Sequence, residues 1–342
     1  ERDVQVFVRR LANRYKQASP EVAENLGKLL REANNSGSVL RGAAVESIPV
    51  DLDSRLQLAR PEHPVHLDFE PHWEPALQEA LDQLVSERMR EEELYKENLH
   101  PTRTALFTGP PGVGKTLAAR WIAHRLDRPL IVLDLSAVMS SFLGRTGNNV
   151  RNILDYAKGL PCVLLLDEFD AIAKRRDDDT EVGELKRLVT VLLQEVDNWP
   201  SKSLLIAATN HKDLLDPAVW RRFEAVIEFG MPSQSDVRRT VELYLGQPGN
   251  QWGAILAKTL HGLSYADIER IISRARREAV IQGIPFDVKL RKIILDRIGS
   301  LRKIERRDLA LNLVEAGLSQ REAHEWTGVS RDTIRKHQEV RS

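Results

Sequence analysis

Apolar positions recur along this chain at two spacings, and the change from one to the other divides it. Residues 3–18 place Val4, Phe7, Val8, Leu11 and Tyr15 three or four apart, and residues 20–33 repeat this with Val22, Leu26, Leu29 and Leu30. That is the 3.6-residue period of amphipathic helices. The predicted helices end at Asn34-Asn35-Ser36-Gly37-Ser38, and prolines at 49, 61, 64, 71 and 75 then interrupt any period, as a linker would. Two readings stay open for the helices: a small adaptor or docking unit, or an extension packed on the main domain. A Glu- and Arg-rich helical pattern then covers residues 73–99.

From Thr104 the pattern changes to short, largely apolar runs at 104–107, 130–135, 162–166 and 204–208, separated by helical stretches such as 150–157 and 184–196. Continuous apolar strands alternating with helices predict a parallel sheet buried on both faces, the doubly wound α/β class. Beyond Pro232 only helical patterns remain, at 236–245, 255–260, 265–281 and 288–298, so a small all-helical domain is expected there. The expected organisation is a helical segment 1–42, a linker 43–66, an α/β domain 67–233, a helical domain 234–300 and a tail 301–342.

Fifty basic residues balance fifty acidic ones. The chain as a whole therefore lacks the electrostatic footprint of a dedicated nucleic-acid binder, and only local patches stay open. The single cysteine, Cys162, excludes an internal disulfide; within an apolar run it reads as a buried reduced thiol, in keeping with a reducing compartment. No stretch approaches the roughly 20 apolar residues that span a bilayer, and the first residues carry no signal-peptide apolar region. A cytoplasmic protein without membrane contact is expected.

The chemistry concentrates at Gly109-Pro110-Pro111-Gly112-Val113-Gly114-Lys115-Thr116, followed by Leu117, which satisfies G-x-x-x-x-G-K-[ST] between a strand and a helix. Gly109, Gly112 and Gly114 let the backbone approach phosphate, so that amide groups and a helix N-terminus face the anion. Lys115 is expected to reach the β- and γ-phosphates of ATP, and the Thr116 hydroxyl to ligate Mg²⁺. A second strand ends in Asp167 and Glu168: Asp167 suits the Mg²⁺ shell, and Glu168 suits polarisation of an attacking water. A third ends in Asn210, either a turn former or the group that holds that water. Arg221 and Arg222 are either a solvated helix end or charge donors to phosphate.

These motifs, with Asp216 to Phe223 and Gly262-Leu263-Ser264-Tyr265-Ala266-Asp267-Ile268, resemble in order and spacing a classical-clade AAA+ ATPase, similar to the ATPase cores of katanin, spastin and the AAA proteases. The resemblance covers residues 67–285. It implies a P-loop α/β domain followed by a helical lid, with Asn210 as sensor 1, and with Arg221 and Arg222 as arginine fingers acting on ATP in a neighbouring subunit. It also implies a ring, usually a hexamer. Gly262, Ser264 and Ala266 would contact nucleotide from the lid, in place of a sensor-2 arginine. Phe142 and Leu143 match the pore loop that grips an extended polypeptide. Residues 174–179, Lys-Arg-Arg-Asp-Asp-Asp, are a second pore loop or a solvated charged loop. Where the family carries Asp-Gly-Phe this chain has Asp197-Asn198-Trp199, so only Asp197 is carried over as a participant in signalling between subunits.

The tail resembles a resolvase-like helix-turn-helix, with Gly328 in the turn and Ser330 capping a second helix that carries Arg331, Arg335 and Lys336. It departs at His324, where a small alanine is usual, and at Thr327, where a leucine is usual. DNA contact and protein docking both remain open. Three functions are compatible with these residues: an ATP-driven remodeller that pulls polypeptide through a pore, a DNA-associated ATPase switch, or a nucleotide-gated scaffold. Similar soluble bacterial chains are associated with a subtilisin-like protease, which the resemblance implies as a partner.

Overall fold

Four strands form where the apolar runs predict them, and the order of strands in the sheet sets where the chemistry lies. The structure is a computed structural model that describes residues 59–135, 146–171, 182–215, 217–246, 251–299, 301–315 and 317–341. The N-terminal helices, most of the linker, Phe142, Leu143 and residues 174–179 lie outside the described residues.

β1 (Arg60–Glu62), α1 (Pro75–Met89) and α2 (Glu91–Lys96) lead into β2 (Thr104–Thr108), α3 (Lys115–Arg125), β3 (Leu130–Asp134), α4 (Thr146–Gly159), β4 (Val163–Asp167), α5 (Val182–Asp197) and β5 (Leu204–Thr209). A 3₁₀ turn (Lys212–Leu214), the short α6 (Pro217–Trp220) and β6 (Ala225–Glu228) come next. The sheet order is β1-β3-β4-β5-β2-β6. All pairs are parallel except β1 with β3.

Both faces are covered, as the continuous runs require. Leu106, Leu164, Leu166, Leu205 and Ala207 enter one core with α4 and α5 residues such as Ile153, Leu154 and Leu192. Their neighbours Ala105, Phe107, Val163, Leu165, Leu204 and Ile206 enter another, with Leu81 and Val85 of α1 and Trp121 and Ile122 of α3. Cys162 is buried, and that burial pushes its thiol up to about 12, so it remains a protonated thiol.

Three local expectations change. The helix expected over 73–99 breaks at Arg90 (φ −114°). Arg88, 3 % exposed, ties the end of α1 to the carbonyls of Thr102 and Ser201 at 2.6 Å each, while α2 buries no residue that could hold it in line. Inside the expected linker, residues 60–62 pair with 130–132 as an edge strand, where the missing N–H of Pro61 is tolerated. At the opposite edge β6, with Val226 45 % exposed, is too short and too wet to read as a buried strand.

The rest is helical: α7 (Gln234–Leu245), α8 (Gln251–Thr259), α9 (Tyr265–Gln282), α10 (Phe286–Ile298), α11 (Lys303–Glu315), α12 (Gln320–Thr327) and α13 (Arg331–Arg341). Ser233, Ser264 and Ser319 each accept a hydrogen bond from the backbone N–H three residues on, at 3.2 Å, which starts α7, α9 and α12. One core runs from Val237 through Ile255, Ile272 and Ile294 to Leu309, Ala323 and Ile334. Helices before and after the expected boundary at 300 thus contribute to the same core. Among the described residues no helix is long and apolar enough to cross a membrane.

Candidate nucleotide site

Strands β2, β5 and β4 are neighbours, so the segments leaving their C-terminal ends are brought together. After β2 the chain turns through 109–114. Gly112 has φ +76°, and a β-carbon there would stand 2.6 Å from Ser264 Oγ; one at Gly109 (φ +146°) would overlap the Phe229 carbonyl oxygen. Only glycine fits either position, and the result is a loop of bare backbone opening onto the N-terminus of α3.

Lys115 begins α3, 6 % exposed, and its Nζ donates to the carbonyls of Gly109 (2.7 Å) and Pro110 (2.7 Å) and to Asn210 Oδ1 (2.8 Å). Burial lowers its pKa to about 8, with Asp167 and Asp170 pulling the other way. Thr116 Oγ1 donates to Asp167 Oδ2 at 2.9 Å, which sets two hard oxygen donors side by side. Asp170, 4 % exposed, accepts from Thr209 Oγ1 and from the Asn210 amide, both at 3.2 Å, and so fixes the end of β5. Nothing in the local sequence sets Asp170, three residues past a strand-end carboxylate, apart from a solvated acidic residue.

Glu168 has φ +53°, an uncommon conformation for a residue with a β-carbon. Its N–H donates to Asp167 Oδ1 (2.9 Å), and the next amide, Phe169, donates to the Ala208 carbonyl (2.8 Å). The chain thus stays tethered to β5 on either side of a kink that leaves Glu168 exposed beside Asp167. Strain of this kind costs about 1–3 kcal/mol and persists only where its surroundings hold it.

The lid closes one wall. Gly262 takes φ +84°, Ser264 caps α9, and the Ala266 amide donates to the Gly112 carbonyl at 3.2 Å. Beside this contact lies a cavity of about 200 Å³ walled by Phe69, Trp73, Leu117, Leu243, Tyr244 and Tyr265. Burial, with nearby Glu269 and Asp68, pushes the Tyr244 phenol above its ordinary value; burial, with Asp236 and Glu74, does the same at Tyr265. Both stay neutral. Phe69, Trp73, Leu243 and Tyr244 were not singled out from sequence, because apolar and aromatic residues in helical or proline-rich stretches look like ordinary core.

Arg221 and Arg222 are exposed after α6, and Arg222 is ion-paired with Asp197 at the end of α5. The hydrogen bonds of Lys115 and Thr116 involve neither arginine.

Residues 105–231 match the family described as ATPase family associated with various cellular activities (AAA). This segment is an AAA ATPase domain. An uncharacterized AAA family ATPase of Sinorhizobium fredii is 41% identical over 200 residues, 58% of this chain and 61% of the relative. A proteasome-activating nucleotidase of Methanococcus maripaludis is 30% identical over 256 residues, 71% of this chain and 63% of the relative. A cell division cycle protein 48 homolog of Archaeoglobus fulgidus is 30% identical over 237 residues, 66% of this chain and 32% of the relative. The chain thus spans about three fifths of the first two and a third of the last.

The lysine of the AAA domain carries a pH prediction. Phosphate oxygens favour its charged form, so binding raises a pKa that stands at about 8 in the site as described. Nucleotide affinity is expected to be level below that value. It then falls by up to about tenfold per pH unit above it, until the pKa of the complex is passed. ADP titrations by calorimetry between about pH 7 and about pH 9.5 check this, and an affinity that does not change over that range overturns it.

Proposed function

We propose that this protein hydrolyses ATP and, as a ring of identical subunits, uses the energy to move polypeptide. The observation that carries the reading is the convergence, at one edge of the sheet, of a bare-backbone loop, a buried lysine, the Thr116–Asp167 pair, the kinked Glu168 and Asn210.

The donor set fits ATP with Mg²⁺. The loop 109–114 receives the phosphates, and the aromatic cavity beside Gly114 and Leu117 takes the base. Lys115 exchanges the carbonyls of Gly109 and Pro110 for phosphate oxygens and, in leaving Asn210, frees that amide to orient a water. Thr116 and Asp167 would hold Mg²⁺, which when bound neutralises phosphate charge. Glu168 accepts the proton of the attacking water as its oxygen bonds to the γ-phosphorus and the bond to ADP breaks. Arg222, once released from Asp197, meets the charge spreading over the transferred group in a neighbouring subunit.

Polypeptide as substrate is supported by Phe142 and Leu143 in the sequence and by relatives named for proteasome activation. A hexamer, a cytoplasmic location and a subtilisin-like partner protease belong to the same reading. The test is Phe142→Ala. Basal hydrolysis is expected to persist while stimulation by an unfolded polypeptide is lost. A core phenylalanine would instead cost about 3–5 kcal/mol, visible as a lowered melting temperature. A stable variant that still remodels substrate at the wild-type rate sinks the proposal.

A further inference from the structure

Helices α11, α12 and α13 form a three-helix unit, and nothing in the hydrolysis of ATP uses it. α12 and α13 are joined by three residues, Gly328-Val329-Ser330. Gly328 (φ +71°) ends α12 by donating to the His324 carbonyl at 2.9 Å, and Ser330 Oγ accepts from the Thr333 amide at 3.3 Å. Ala323, Thr327 and Ile334 are buried with Leu309, Ala310 and Leu313 of α11.

The two departures from a helix-turn-helix, His324 and Thr327, each find a local hydrogen-bond partner. His324 points outward, its Nδ1 2.8 Å from the Val329 carbonyl, and Ala323 takes the tight position next to it. The Thr327 hydroxyl, though buried, donates to the Ala323 carbonyl at 2.6 Å. Opposite Ile334, α13 exposes Arg331, Asp332, Arg335 and Lys336, with Arg331 and Arg335 one turn apart; Arg321 is exposed on α12.

We propose that α13 is a DNA-reading helix, and that nucleotide bound at the P-loop alters its affinity for DNA through the lid. A helix carried at an angle by a short glycine turn, with one flank packed and the other solvated, fits the major groove, which is about 12 Å wide in duplex DNA. Arginines one turn apart suit the paired acceptors of guanine, and Asp332 the amino group of cytosine; Lys336 and Arg321 flank these toward phosphate. The deep, narrow major groove of duplex RNA does not admit such a helix.

The coupling arises from packing. Trp326 of α12 stacks on Trp252 of α8 (centroids 6.1 Å apart, planes 12°), and Arg291 of α10 lies over Trp326 at 4.8 Å. Lys258 of α8 is hydrogen-bonded to Asn312 of α11. The tail is thus bound to the lid, and the lid donates to the Gly112 carbonyl from Ala266. This half of the proposal rests on the nucleotide reading above; the DNA half does not.

The test is fluorescence anisotropy of the full chain with labelled duplexes of about 20–30 base pairs, without nucleotide, with ADP, and with ATP on the Glu168→Gln variant. Nucleotide binding is measured in parallel. The two cations placed toward phosphate, Arg321 and Lys336, contribute about −2 to the log–log salt slope, and that part is expected to be lost in Arg321→Ala/Lys336→Ala. Arg331→Ala/Arg335→Ala, at exposed positions, is expected to keep the melting temperature and to weaken binding about tenfold or more. Nucleotide is expected to shift DNA affinity about fivefold or more, and Trp326→Ala, if folded, to remove that shift.

No binding at low salt, binding indifferent to the two arginines, or equal displacement by an acidic polypeptide overturns the DNA half. The last outcome would indicate a protein partner. Equal DNA affinity in all nucleotide states, with nucleotide binding intact, overturns the coupling. Absent nucleotide binding counts against the ATPase reading and leaves the DNA measurement decisive by itself.

Discussion

Lys115→Ala is expected to abolish nucleotide binding, whereas Glu168→Gln keeps it and loses turnover by about 10²–10⁴-fold. The difference comes from the group each side chain meets. Lys115 is a buried cation at the mouth of a glycine loop whose backbone can offer phosphate only partial charges, so its removal takes a full positive charge from the cradle. Glu168 is exposed on a kink with its N–H donating to Asp167, and no hydrogen bond of Lys115 involves it; glutamine keeps its shape and loses its basicity. A fluorescent ADP analogue and a phosphate-release assay read the two variants. Lys115→Ala also strips a donor from two carbonyls and from Asn210, so its melting temperature must be followed alongside. Wild-type turnover by Glu168→Gln would falsify the role assigned to that carboxylate.

Arg222→Ala is expected to lower hydrolysis by about 10³–10⁵-fold, the range for removal of an arginine that meets transition-state charge. Its ion pair with Asp197 is partly exposed on both sides, so little stability goes with it. If Arg222 completes a neighbour's site, activity rises steeply with protein concentration, and mixing the inactive Arg222→Ala and Lys115→Ala chains restores part of it. Each mixed interface that pairs an intact cradle with an intact arginine is then competent. Mixed assemblies, verified by a tag on one chain, that stay inactive would place the arginine's action within its own subunit.

Legibility in the sequence tracked the strength of the physical signal. Leu164–Leu166 and Leu204–Ala208 are unbroken apolar runs that only a doubly covered strand accommodates, and the loop 109–114 needs its glycines wherever it occurs. The helices beyond Pro232 were legible because their apolar positions repeat at helical spacing. The edge strands were not, since Pro61 and Glu62 carry no alternation. The Asn210–Lys115 hydrogen bond and the buried Asp170 depend on which strands become neighbours, information that lies in the topology and not in any local stretch. The aromatic cavity stayed hidden for another reason: Trp73 and Tyr244, 171 positions apart in the chain, each look like core until the helical domain packs beside the sheet. At His324, where an alanine is usual, the side chain is exposed with Nδ1 2.8 Å from the Val329 carbonyl, and Ala323 takes the inner place.

The continuity of the core from Val237 to Ile334 bears on how such a chain can be rearranged over evolution or by hand. A recombination point near residue 300 would expose the face of α8 that carries Trp252, and would send Trp326 into an unrelated context without its stacking partner. Lid and tail therefore depend on one shared core, and a lid grafted without this tail would need a new apolar complement. Where the tail changes its partner, the change must come from the solvated flank of α13, the part of the block that can vary without disturbing the rest.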